Sequence, residues 1–214
     1  MLEKQDKSIL KYNGKTQMMT KDDILQVAIP MLYQKGILCF SLNEFLQVHH
    51  ISKGSFYHFF NDKDTLVYEA LCKDNQNYRY KTERELYTLK SLESKMCKIF
   101  EVYCVDNAYN RQLCRFYEDM FLYAITSQNT LFMRYIQNLK EHTHYLILQS
   151  IESTQISKAK KGKMRDLSEF LSLGIDGFWL LQSVMGKTWE EKNVEVKHLI
   201  QSLCVFVGQK DSKI

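Results

Sequence analysis

The chain has 214 residues, a formal net charge of +4 and a single proline. That length can bury a large core, as one elongated domain or two small ones, and the scarcity of proline and glycine beside abundant Leu, Lys, Glu and Gln points to an all-α fold. So modest a charge excludes a generally cationic surface, and any contact with nucleic acid must come from a local basic patch.

Residues 1–19 carry Lys4, Lys7, Lys11 and Lys15 with little apolar periodicity, which predicts a flexible basic arm and no signal peptide. Thr20 followed by Asp23 makes a capping box, and Ile24, Ala28 and Leu32 line one face of a helix that ends at Gly36. Pro30 lies inside it and predicts a kink or local break. Ser41 with Glu44 repeats the capping box, and Phe40 and Phe45 stand at the positions of a hydrophobic staple. The helix so started at Leu42 carries Phe45 and Leu46 inward and is interrupted at His49-His50. Ser52 then caps a second short helix whose first turn is Lys53, Gly54 and Ser55, with Phe56, Phe59 and Phe60 anchoring it from behind. Small polar side chains, free backbone N–H groups and the helix dipole suit such a first turn to phosphates and base edges, so the stretch reads as a helix-turn-helix.

These residues resemble the TetR family of transcriptional regulators. The match lies in Gly36, Ser41, the run Ile51 to Phe60 and Lys63, while Leu46, His49 and His50 depart from the family's Ala, Ala and Gly. The tight turn asks for φ > 0 at His50. The resemblance implies phosphate contacts from Tyr57 and Lys63 and groove contacts from Asn43, Lys53, Ser55 and His58, with Ser41, Ser52 and Gly54 completing the DNA-binding set. It further implies residues 20–66 as the DNA-binding domain and 67–214 as an effector-binding and dimerisation domain.

Asn61 and Asp64 are read as caps of a fourth helix running to about Leu86, followed by amphipathic helices over 91–107, 110–125 and 129–154. These are unusually aromatic, and in the family the equivalent helices surround an effector pocket. Phe100, Tyr103, Phe116, Tyr117, Phe121, Tyr145 and Phe178 are the candidate lining, each read equally well as ordinary core. The interspersed acids and bases there favour a mostly apolar or aromatic ligand over an anion. Residues 153–165, rich in lysine, read as a solvated loop. Two helices over about 165–186 and 190–208 carry apolar residues on more than one face, which predicts a homodimer interface through Phe170, Gly174, Gly177, Leu181, Leu199, Leu203 and Val207.

The six cysteines form no CxxC pair and no zinc spacing, and no Gly-rich phosphate loop or Ser/His/Asp arrangement is visible. No enzyme activity, metal or cofactor is expected. No apolar run approaches the roughly 20 residues of a membrane span, so a cytoplasmic location without membrane contact is expected. The leading function is a homodimeric, ligand-responsive regulator, a repressor released from a pseudo-palindromic double-stranded operator by a small-molecule effector. The alternative is a ligand-binding or protein-interaction module on the same fold without sequence-specific DNA binding, which the unusual His49-His50 turn makes worth carrying.

Overall fold

The computed structural model describes residues 9–12 and 15–208, with side chains from 19 to 205. Among the described residues it is helical apart from one antiparallel hairpin, β1 (Ile9–Tyr12) with β2 (Lys15–Met18), which stands where an unstructured arm is expected. The side chains of Lys4, Lys7, Lys11 and Lys15 lie outside the described residues. Chain contacts divide the molecule into two compact units: residues up to Asn77 with Arg115–Tyr135, and Tyr78–Cys114 with residues from Ile136 onward.

The first unit begins with α1 (Lys21–Lys35), whose capping box is complete: the Thr20 hydroxyl accepts from Asp23 N–H and the Asp23 carboxylate accepts from Thr20 N–H at 2.8 Å. Those bonds hold the Asp23 carboxyl below its ordinary range. Contrary to the expected break, α1 runs through Pro30. Gln26, whose carbonyl loses its partner, and Pro30 are both exposed, so water can satisfy the freed group. The helix stops at Gly36, which has φ 73° and ψ 160° and donates to Leu32 O at 2.8 Å. A Cβ at Gly36 would lie 2.5 Å from a carboxylate oxygen of Asp119. Glycine is therefore demanded by a backbone region nearly closed to L side chains, while the Asp119 carboxylate is a side-chain end that can swing aside. Gly36→Ala is expected to cost ~1–3 kcal/mol, measured as a fall in denaturation free energy.

Next come α2 (Leu42–Val48), α3 (Lys53–Phe59) and α4 (Lys63–Leu86). The cap of α4 is Asp62, which accepts from Thr65 N–H at 2.7 Å, and not Asn61 or Asp64. A cap must immediately precede the first helical residue to reach the third N–H, and Asp64 already lies within the turn. Asp64 instead receives Tyr123 Oη at 3.2 Å and Asn129 Nδ2 at 2.7 Å. Ile24, Ala28, Leu32, Ile37, Phe45, Phe56, Leu66, Val67 and Ala70 are fully buried in this unit, each worth ~1.5–3 kcal/mol for the larger side chains. Phe116 meets the Tyr33 ring edge-on at 5.1 Å, and the Tyr33 hydroxyl donates to Asp74. Burial is the main cause that pushes the Tyr33 phenol upward.

The second unit is built on α5 (Leu92–Ile99), the short α6 (Glu101–Cys104), α9 (Lys158–Val184) and α10 (Trp189–Gly208). It also takes the far end of α4 and parts of α7 (Ala108–Ser127) and α8 (Thr130–Ser153). Its core joins Met96, Phe100, Tyr103, Ile147, Ile151, Ile175 and Trp179. Two boundaries differ from expectation. The helix expected over 91–107 breaks at Phe100, where φ −101° and ψ 27° leave the helical region. The lysine-rich segment expected as a loop is the start of α9, because Ser157 accepts from Lys160 N–H at 3.3 Å and caps it. Lysines suit helix interiors, and here capping outweighs their unfavourable place beside the positive helix end. None of the six cysteines is in a disulfide, and Cys104 and Cys114 are buried.

Candidate nucleic-acid interface and effector cleft

The α2–α3 pair is set by local bonds. Ser41 Oγ accepts from Glu44 N–H at 3.4 Å, but the Glu44 carboxylate turns away to pair with Lys35, so this capping box is half made. The Phe40 and Phe45 rings meet at 5.5 Å, as a hydrophobic staple requires. His50 has φ 54°, the left-handed conformation that the tight turn demands, and Ile51 N–H returns to Leu46 O at 2.8 Å. His is among the residues that tolerate this region. The His49 ring lies 5.0 Å from Phe45, and burial is the larger cause that holds its imidazole below the ordinary range.

Ser52 Oγ accepts from Ser55 N–H at 3.0 Å and donates to Ser55 Oγ at 3.2 Å, fixing the start of α3. Fully buried Phe56 stacks on Phe60 at 5.5 Å and turns the opposite face outward. On that face Lys53, Gly54 and His58 are exposed and Tyr57 is 58% exposed, while Ser41 and Asn43 are exposed on α2. Ser52 and Ser55 are half-buried and serve the cap. Lys63, in the first turn of α4, lies with Nζ 5.8 Å from the centre of the Tyr123 ring. The nine residues expected at the DNA thus fall on one short stretch, with Lys53, Tyr57 and His58 the most available.

The aromatic residues expected around a ligand are distributed. Phe116, Tyr117 and Phe121 belong to the first unit, with Phe116 fully buried against Tyr33. In the second unit Phe100 and Tyr103 are core side chains and Phe178 packs against the same core. Tyr103 Oη donates to Asp176 at 2.7 Å, the Asp176 carboxylate pairs with Lys140, and the Tyr103 ring lies 4.8 Å from Trp179. Tyr145 is half-exposed and does line a cavity. This is a small hollow of about 50 Å³ bounded by Glu83, Leu86, Tyr87, Tyr145, Leu146 and Ser150. Beside it, sharing Tyr87 and Ser153, a larger hollow of about 400 Å³ is bounded by Leu89, Lys90, Lys95 and Gln155. The two hollows adjoin at Tyr87 and Ser153 and are together called the cleft, beside the end of α4, the start of α5 and the end of α8.

Lys95 escapes a motif search. Its only signal is a lysine on the same helical face as Leu92, Met96 and Ile99.

His142, stacked 6.0 Å from Tyr145, titrates abnormally: burial and then the charge of Arg79 pull its imidazole down to about 4. Glu83 lies 3.6 Å from its Nε2, beyond a good hydrogen bond, and does not offset them. Because the folded state resists protonation while the unfolded chain takes a proton near 6.5, the stability is full above that pH and is lost as pH falls toward 4. We expect ~2–3 kcal/mol of acid sensitivity across that window, absent from His142→Gln, measured as the difference between the two denaturation profiles.

The dimer candidates also sort by exposure. On α9, Phe170 is 60% exposed and Leu181 62%, and with Leu173 and Val184 they follow a helical spacing along one face. Gly177 lies on that face with open space at its Cβ position, whereas a Cβ at Gly174 would meet the Phe170 ring at 3.3 Å. Leu199 and Leu203 instead pack against the core of the second unit. They are inner-face residues of α10, where Val194 and Val205 face outward. The side chain of Val207 lies outside the described residues.

This arrangement, a capped helix-turn-helix ahead of a bundle of longer helices, is the fold of a TetR-family regulator. A solved structure from Rhodococcus sp., described as a candidate TetR-family transcriptional regulator, shares it with a TM-score of 0.57 and 17% identity. The alignment covers 86% of this chain and 98% of that one. No family model matches the sequence, and no curated protein matches it. Among the described residues no helix is long and apolar enough to cross a membrane, and no group of His, Cys, Asp and Glu could hold a metal ion.

Proposed function

We propose that the protein is a homodimeric transcriptional regulator that binds double-stranded DNA through α2 and α3 and is released by a small-molecule effector, as a repressor would be. The observation that carries this reading is the outward row Lys53, Tyr57 and His58 on a helix whose back, Phe56 and Phe60, is buried and whose start is capped. Such a row offers donors to base edges and phosphates, while the anchored back holds it in register. Lys63, poised beside Tyr123, adds a phosphate contact. The apolar face of α9 supplies the two-fold partner surface, so two reading heads would meet two half-sites of an inverted repeat.

The effector acts through α4. Its first residue, Lys63, adjoins the reading helix, and its last turn, with Glu83 and Leu86, borders the cleft. Both ends belong to the one helix, so a ligand that favours one arrangement of its last turn biases the other end. A tenfold release of DNA needs ~1.4 kcal/mol of difference in ligand affinity between the two states.

The test uses equilibrium binding to a duplex selected by the protein, across a salt series. Lys63→Ala should weaken every sequence alike and reduce the salt slope by ~1, because one phosphate contact and its counterion are lost. Tyr57→Phe should weaken binding without altering the preferred sequence. Wild-type behaviour from both variants would remove these two contacts from the account.

A further inference from the structure

Two side chains along the cleft are left short of partners by the protein's own packing. Lys95 is only 4% exposed, yet its ammonium is satisfied by a hydroxyl alone, donating to Ser153 Oγ at 2.8 Å. No carboxylate pairs with it among the described residues. Burial, and then the charge of Lys161, hold the amine below its ordinary range. Ser150 is 2% exposed, borders the small hollow, and its hydroxyl has no hydrogen-bond partner. A buried cation without a counter-ion and an orphaned buried hydroxyl each cost stability, and both stand on the wall of the same opening.

We infer that the cleft binds a monoanionic amphipath, a carboxylate on an apolar body, with the carboxylate on Lys95 and the body laid along Tyr87 toward Leu86, Tyr145 and Leu146. The larger hollow, at about 400 Å³, falls within the usual range for ligand sites. Lys90 lies at the same end and reinforces the positive potential there. Glu83 borders the far end, which sets the polarity of the site and disfavours a second negative charge on the ligand. Lys161, whose charge also acts on Lys95, is already engaged by Glu152. This deepens the effector reading given above, on whose regulatory part it rests for consequence only, and it amends the expectation of an uncharged apolar ligand.

The experiment is a calorimetric titration of the full chain with decanoate below its micelle concentration, beside decanol and decyltrimethylammonium. Decanoate should bind the wild type at least about tenfold more tightly than either. Lys95→Met removes the charge while keeping the stem, and should fold at least as stably as wild type because an uncompensated buried charge disappears. It should lose about tenfold in decanoate affinity or more, and leave decanol unchanged. The inference is overturned if decanoate fails to bind, if Lys95→Met binds it like wild type, or if the cationic amphipath binds as tightly. Duplex binding without any amphipath is measured in parallel. Its absence would sink the regulator reading while the titration still decides the site.

Discussion

Leu181→Glu is expected to convert a dimer into a folded monomer. The side chain is 62% exposed in the single chain, so the substitution costs little within a protomer. In the proposed interface it is flanked by Phe170, Leu173, Gly177 and Val184, and an unpaired carboxylate buried there costs several kcal/mol by desolvation even after relaxation. Two-fold symmetry places that cost at both copies of the residue. Sedimentation at micromolar concentration should show the wild type as a dimer and the variant as a monomer with an unchanged helical spectrum. Duplex affinity should fall with it, since one reading head alone loses the gain from simultaneous contact at two half-sites. A monomeric wild type, or a dimeric variant, would exclude the α9 face as the interface.

Phe56→Ala is expected to have the largest effect on stability. The ring is fully buried, stacked on Phe60 at 5.5 Å and edge-on to Tyr57 at 5.1 Å, so that truncation opens a cavity under α3. Phenylalanine-to-alanine changes at such sites cost ~3–5 kcal/mol. The outward row loses its backing, and DNA affinity should fall with the denaturation free energy. Phe59→Ala, at a half-buried position, should cost markedly less, and equal losses from the two variants would contradict the assignment of inner and outer faces.

The α2–α3 segment was legible because its determinants are local. Thr20, Ser41 and Ser52 announce helix starts through bonds spanning three residues, and each is present. The turn at His50 was readable from the backbone conformation that its place requires, and φ is 54°. Other features depend on what the chain meets at a distance. Nothing near Phe100 in sequence marks the break between α5 and α6. The lysines and Gly162 at the start of α9 resemble a loop until the Ser157 cap is seen. Asp64 looked like a cap, and its role is to receive Tyr123 and Asn129.

The candidate ligand residues show the same limit. Aromatic content marked a region, but burial sorted it: Phe100, Tyr103 and Phe116 are packed, while Tyr145 alone of that set borders the described cleft. The chemically distinctive wall residues, Lys95 and Ser150, carry no motif. Likewise α10 offered Leu199 and Leu203 as apolar residues without revealing which of its faces the core would claim.

Selection of bound duplexes from a random-sequence library by the purified protein, followed by sequencing, tests the central claim most directly. The account predicts enrichment of an inverted repeat with half-sites about one helical turn apart, ~34 Å centre to centre or a multiple of it, as two α3 helices related by a two-fold axis require. Recovery of sequences indistinguishable from the starting library, at a salt concentration where the protein still retains DNA, would contradict it.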